Sequence, residues 1–76
     1  MDNNKFIKKC KDILVSKGVV RETIFVVWSC KTLQNNKAIV SHTAKGAPLY
    51  EITHNGDKGE IYVDTYTKKS NECIKV

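Results

Sequence analysis

With 76 residues, the chain has room for one hydrophobic core, so residues 1–76 are expected to form a single small domain. A periodic hydrophobic fraction of 41% excludes a disordered chain, and no apolar run approaches the roughly 18 residues that span a bilayer. Thirteen basic residues against eight acidic ones leave a net charge of +5, which favours acidic partners: nucleic acid, an acidic protein face or an anionic membrane.

The first element expected is an amphipathic helix from about Asn4 to Lys17. Phe6, Ile7, Cys10, Ile13 and Leu14 recur at helical spacing, and Lys5, Lys8, Lys9 and Lys11 fall on or beside the opposite side. Asp2, Asn3 or Asn4 can cap its start, and Gly18 suits the left-handed residue that ends it. Thr23 to Thr32 then reads as a strand, because Ile24 to Trp28 is β-branched and aromatic. Its apolar residues occupy both alternate positions, which predicts a central strand covered on both faces. Gln34-Asn35-Asn36-Lys37 is expected as a tight turn, followed by a strand from Ala38 to about His42. After a connection from Thr43 to Pro48, Leu49 to His54 and Glu60 to Tyr66 form a second hairpin around Asn55-Gly56-Asp57-Lys58-Gly59. Residues 67–76 are open to two readings: a short helix packing Cys73 and Ile74 inward, or a frayed final strand. The fold expected is α+β, an N-terminal helix on a four-stranded antiparallel meander with room for a short C-terminal helix.

No catalytic set stands out. Cys10 lies on the apolar stripe of the helix, where a thiol is inert. Cys30 has a base within reach only if His42 or His54 meets it across a hairpin, and nothing local marks a nucleophile turn. Gly56 and Gly59 bracket a hairpin and open no helix, so they form no phosphate loop. The expectation is a protein that is not an enzyme and needs no cofactor. Zinc is the one metal to weigh, because Cys10, Cys30, Cys73 and His42, with His54, would suffice for a tetrahedral site assembled by the fold. The simpler reading makes these cysteines small buried hydrophobes.

Binding remains. Arg21 is the one arginine among the thirteen basic residues, and base readout favours the bidentate guanidinium over lysine. Nucleic acid could still be held by helix lysines on phosphates or by Tyr62 and Tyr66 stacking bases. Glu51, Glu60 and Asp64 share the outer side with those tyrosines and would repel phosphate. For a protein partner, Trp28 is the natural anchor if the tail leaves it uncovered, joined by Tyr62 and Tyr66, with Lys8, Lys9 and Lys11 steering the encounter.

Two strings carry a resemblance. Phe25-Val26-Val27-Trp28-Ser29-Cys30-Lys31-Thr32-Leu33-Gln34-Asn35-Asn36-Lys37-Ala38 resembles the signature of an uncharacterised family of small proteins from phages and prophages of Gram-positive bacteria. Tyr50 to Lys58 and Glu60 to Asp64 look like that family's second hairpin. The resemblance implies origin and no transferable activity. Small phage proteins that lack catalytic residues commonly act by stoichiometric binding, so it implies an inhibitor or regulator of a host protein, of anti-CRISPR type among others. The opening Met1 to Lys5 lacks the apolar run of a secretory signal, and three cysteines make no disulfide framework, so a reducing cytoplasm is expected. The resemblance makes it that of a bacterial host. No membrane partner is expected, and the chain is expected as a monomer or homodimer. A small basic nucleic-acid-binding accessory protein, or a zinc-stabilised form of either, is the alternative.

Overall fold

A computed structural model describes residues 1–76 and shows one helix laid over one face of a four-stranded sheet. Helix α1 runs Asn3–Ser16. The Asp2 carboxylate accepts a hydrogen bond from the Lys5 amide at 2.8 Å and caps its start. The other end closes with two reciprocal bonds, in which the Val19 N–H donates to the Leu14 carbonyl and the Gly18 N–H to that of Val15. That closure requires a left-handed residue, and Gly18 supplies it with φ of +95°. A single 3₁₀ turn, Arg21–Thr23, then leads into the sheet.

The strands are β1 (Ile24–Thr32), β2 (Asn35–His42), β3 (Leu49–Asn55) and β4 (Glu60–Tyr66). They pair antiparallel in the order β1-β2-β3-β4, so the α+β meander expected from the sequence is the fold observed. Phe6, Cys10 and Leu14 from α1 are fully buried against Ala38, Val40 and Ile52, with Ile24 and Tyr50 at the margin. Burial of a side chain such as Phe6, Leu14 or Ile52 contributes about 1.5–3 kcal/mol. This one layer of contact holds the domain together.

Three expectations need correction. Strand β1 is an edge strand, not a central one, and Phe25, Val27 and Trp28 are exposed. Short connections force each strand of a meander to pair with the next, so the first strand acquires one neighbour however apolar it is. The first hairpin turns at Leu33-Gln34, not at Gln34 to Lys37, since Thr32 already pairs with Asn35. Leu33 takes a positive φ of 55°, while the two asparagines expected there bond across strands instead. Asn35 Oδ1 accepts from the Gly56 N–H at 3.1 Å, and Asn36 Oδ1 accepts from buried His54 Nδ1 at 3.1 Å. Finally, residues 67–76 form neither helix nor strand, and Cys73 and Ile74 are exposed rather than packed inward. The tail has one apolar cluster and no periodic stripe with which to join the core.

The two hairpin tips touch at Gly56. A Cβ built there would lie 2.1 Å from the Gln34 carbonyl oxygen, a backbone atom that cannot swing aside. Gly56→Ala should therefore cost about 2 kcal/mol or more by forcing the tips apart. Gly18→Ala has open space around it and should cost only the roughly 1–2 kcal/mol of a left-handed backbone. Chemical denaturation of the two variants checks this order. Equal losses would mean that the contact between the tips contributes nothing.

Candidate functional site

Strand register assigns every sheet residue to the helix-covered face or to the open one. Ile24 and Val26 pair with His42 and Val40 and take the helix side of the sheet, where Ile24 is buried and Val26 stays exposed. The pairing then slips at Val27, so that Trp28, not Val27, stands opposite Ile39. Val27 is the extra residue of a β-bulge. A strict alternation would have sent Trp28 to the helix face with Ile24 and Val26. The bulge turns it outward, onto the same face as Phe25.

The open face is a grid of rows across four strands. One row runs Trp28, Ile39, Glu51, Asp64, and the next runs Cys30, Lys37, Thr53, Tyr62. Leu49 pairs with Tyr66 at the far end. Phe25, Trp28, Leu49, Tyr62 and Tyr66 are each 46–54% exposed, and all of residues 67–76 are exposed as well. Beside Trp28 a shallow groove of about 280 Å³ is lined by Cys30, Thr32, Lys37 and Thr53.

The charges on this face are acidic. Among the strand residues of this face, Glu51, Glu60 and Asp64 stand against one base, Lys37, whose Nζ lies 3.7 Å from Glu51 Oε2. The Tyr62 hydroxyl donates to Glu60 Oε1 at 3.0 Å, and this bond pushes its pKa up. The nearby negative charges of Glu51, first, and Asp64 raise that of Tyr66. Both tyrosines thus stay neutral well above physiological pH.

The sequence-based site residues divide into two groups. Trp28, Tyr62 and Tyr66 come together on the open face. Lys8, Lys9 and Lys11 lie on α1, which covers the other face, so they do not flank the aromatic anchors. Lys8 is also tied to Asp12 at 3.2 Å, and Asp12 bonds Arg21 as well. The Arg21 guanidinium, then Lys8, hold the Asp12 carboxyl below its usual range. Base-stacking tyrosines and phosphate-tracking lysines therefore sit on opposite sides of the molecule. Phe25, Leu49 and the carboxylates were not singled out as site residues. Parity along β3 and β4 carried the signal for Leu49, Glu51 and Asp64, whereas Phe25 joins Trp28 only through the bulge.

The proposed zinc ligands are not assembled. Cys10 is in the core under the helix, Cys30 is on the open face, Cys73 is in the exposed tail, and His42 lies on the helix side, stacked near Tyr50. No three His, Cys, Asp or Glu side chains gather as a metal site. The sheet also separates Cys30 from His42 and His54, which removes the cross-hairpin pairing of thiol and base. Burial pushes the Cys10 thiol up to about 12. At pH 8, a thiol reagent should label Cys30 and Cys73 rapidly and Cys10 only after denaturation. Mass spectrometry of labelled peptides reads this directly, and fast labelling of Cys10 in the folded protein would contradict its placement.

No curated protein and no solved structure matches the chain. A family profile does match, over residues 3–76, which takes in the helix, all four strands and the tail. The chain therefore belongs to the family of unknown function DUF6275.

Proposed function

We propose that this chain is a non-catalytic binding protein, an inhibitor or regulator that docks the open face of its sheet onto a partner protein. The observation that carries this reading is the bulge at Val27. It moves the largest apolar side chain of the molecule out of reach of the helix and onto a face already bearing Phe25, Leu49, Tyr62 and Tyr66. An apolar residue turned outward gives up burial that a domain this small would use, and aromatic side chains are the preferred anchors of protein interfaces. Trp28, Tyr62 and Tyr66 are the anchors, with Phe25 and Leu49 beside them.

The finer reading is a phage-encoded protein acting on a host protein in the bacterial cytoplasm, as a counter-defence inhibitor of anti-CRISPR type. Its support is the resemblance of the Phe25 to Ala38 string and the second hairpin to phage and prophage proteins. The open face suits such stoichiometric blocking, because its anchors form one continuous surface without a reaction site.

The test is a tagged pull-down from nuclease-treated host lysate, comparing the parent chain with Trp28→Ala and Tyr66→Ala. One host protein retained at near-stoichiometric amount by the parent and lost by both variants is the expected result. Both variants should melt close to the parent, since half-exposed side chains contribute little to the core. Unfolding of Trp28→Ala would make Trp28 a core residue and remove the anchor. Retention of nucleic-acid proteins that disappears with nuclease would favour a basic nucleic-acid-binding protein instead.

A further inference from the structure

Resting on that reading, we infer that the open face recognises a cationic amphipathic segment of its partner, one that sets Lys or Arg side chains beside apolar ones. The net charge of the chain points the other way, and the distribution of its charges reverses it. On the strands, Glu51, Glu60 and Asp64 face outward on the open side against Lys37 alone, although the whole chain carries thirteen bases and only eight acids. Acidic residues are thus concentrated where the exposed aromatics are. Glu51 and Asp64 are direct neighbours on β3 and β4, in the row that begins with Trp28.

Two carboxylates opposite each other repel and are unfavourable in an isolated sheet. Of the pair, Glu51 has Lys37 at 3.7 Å, while Asp64 forms no salt bridge. A cation arriving from outside would relieve the repulsion, the Tyr62 and Tyr66 rings either side of Asp64 on β4 offer it cation–π contact, and Trp28 at the far end of the row offers apolar contact to the same segment. Trp28 and Asp64 lie three strand spacings apart, about 14 Å. An extended strand or a single helix laid across the sheet covers that distance. A second copy placed face to face would instead oppose six carboxylates to two lysines, and phosphate would meet the same acidic row.

The experiment uses the full chain and short synthetic peptides, read by anisotropy and by NMR. One peptide carries Lys and Arg on one side and Leu and Phe on the other, a second replaces its bases by Glu, and a DNA oligonucleotide is the third probe. The cationic peptide should bind one to one, shift the Trp28 indole signal, and weaken steeply with added salt. Glu51→Lys with Asp64→Lys should weaken it about tenfold or more while leaving the melting temperature near the parent value. The acidic peptide should not bind. Equal binding of both peptides, or insensitivity to the double reversal, overturns the inference. So does binding of DNA that Trp28→Ala weakens, or a salt-resistant dimer of the chain that the double reversal dissociates. The two readings also separate in the pull-down. A host protein lost by Trp28→Ala but kept by the double reversal sinks the charge inference and leaves the proposed function standing. One kept by Trp28→Ala sinks the proposed function.

Discussion

A single inserted residue, Val27, determines which way this molecule presents its largest side chain. The strand before it alternates in register with β2, and the strand after it alternates in the opposite phase. A bulge costs one ladder position and some local regularity, and it is kept only where the rest of the pairing over-determines it. Here the long register with β2 on both sides of Val27 does so. Trp28 thereby leaves the helix-covered layer, and the open face becomes continuous from Phe25 to Tyr66.

The remainder of the structure follows from having one helix and four strands. A single α1 covers one face of the sheet, and its three fully buried residues, Phe6, Cys10 and Leu14, complete the core with the inner residues of β2 and β3. The molecule is 17 Å across its thinnest dimension, the depth of one helix on one sheet. The second face is left to solvent or to a partner. Its charges matter because the average over the chain misleads, with bases outnumbering acids overall and the reverse on this face. Long-range attraction depends on the first quantity, and the fit of a docked segment depends on the second.

The sequence shows clearly the elements whose information is local. Helical spacing of Phe6, Cys10 and Leu14, a capping Asp2 and a terminating Gly18 place α1 within one residue of its observed limits. The alternation of Ile61 and Val63 with Tyr62, Asp64 and Tyr66 places β4 with its faces correctly assigned. The grouping of Tyr62 and Tyr66 with Glu51, Glu60 and Asp64 is legible for the same reason, since a period of two needs no knowledge of neighbours. The first turn is not legible. Asn35 and Asn36 have the composition of turn residues, yet each finds a better hydrogen-bond partner across the sheet.

Local pattern along the chain therefore sets the elements, their order and the inner and outer sides of the regular strands. Propensity, capping and periodicity act over a few residues and can be read there. The tertiary structure alone decided that β1 lies at an edge, that the tail leaves the second face open, and that Trp28 shares that face with the tyrosines. It also decided that the lysines of α1 lie on the far side and that the cysteines stay apart. Each of these depends on which strand pairs with which and on one irregular register between distant residues. Pairing of that kind is settled by the whole set of contacts at once, and no short stretch of the chain contains it.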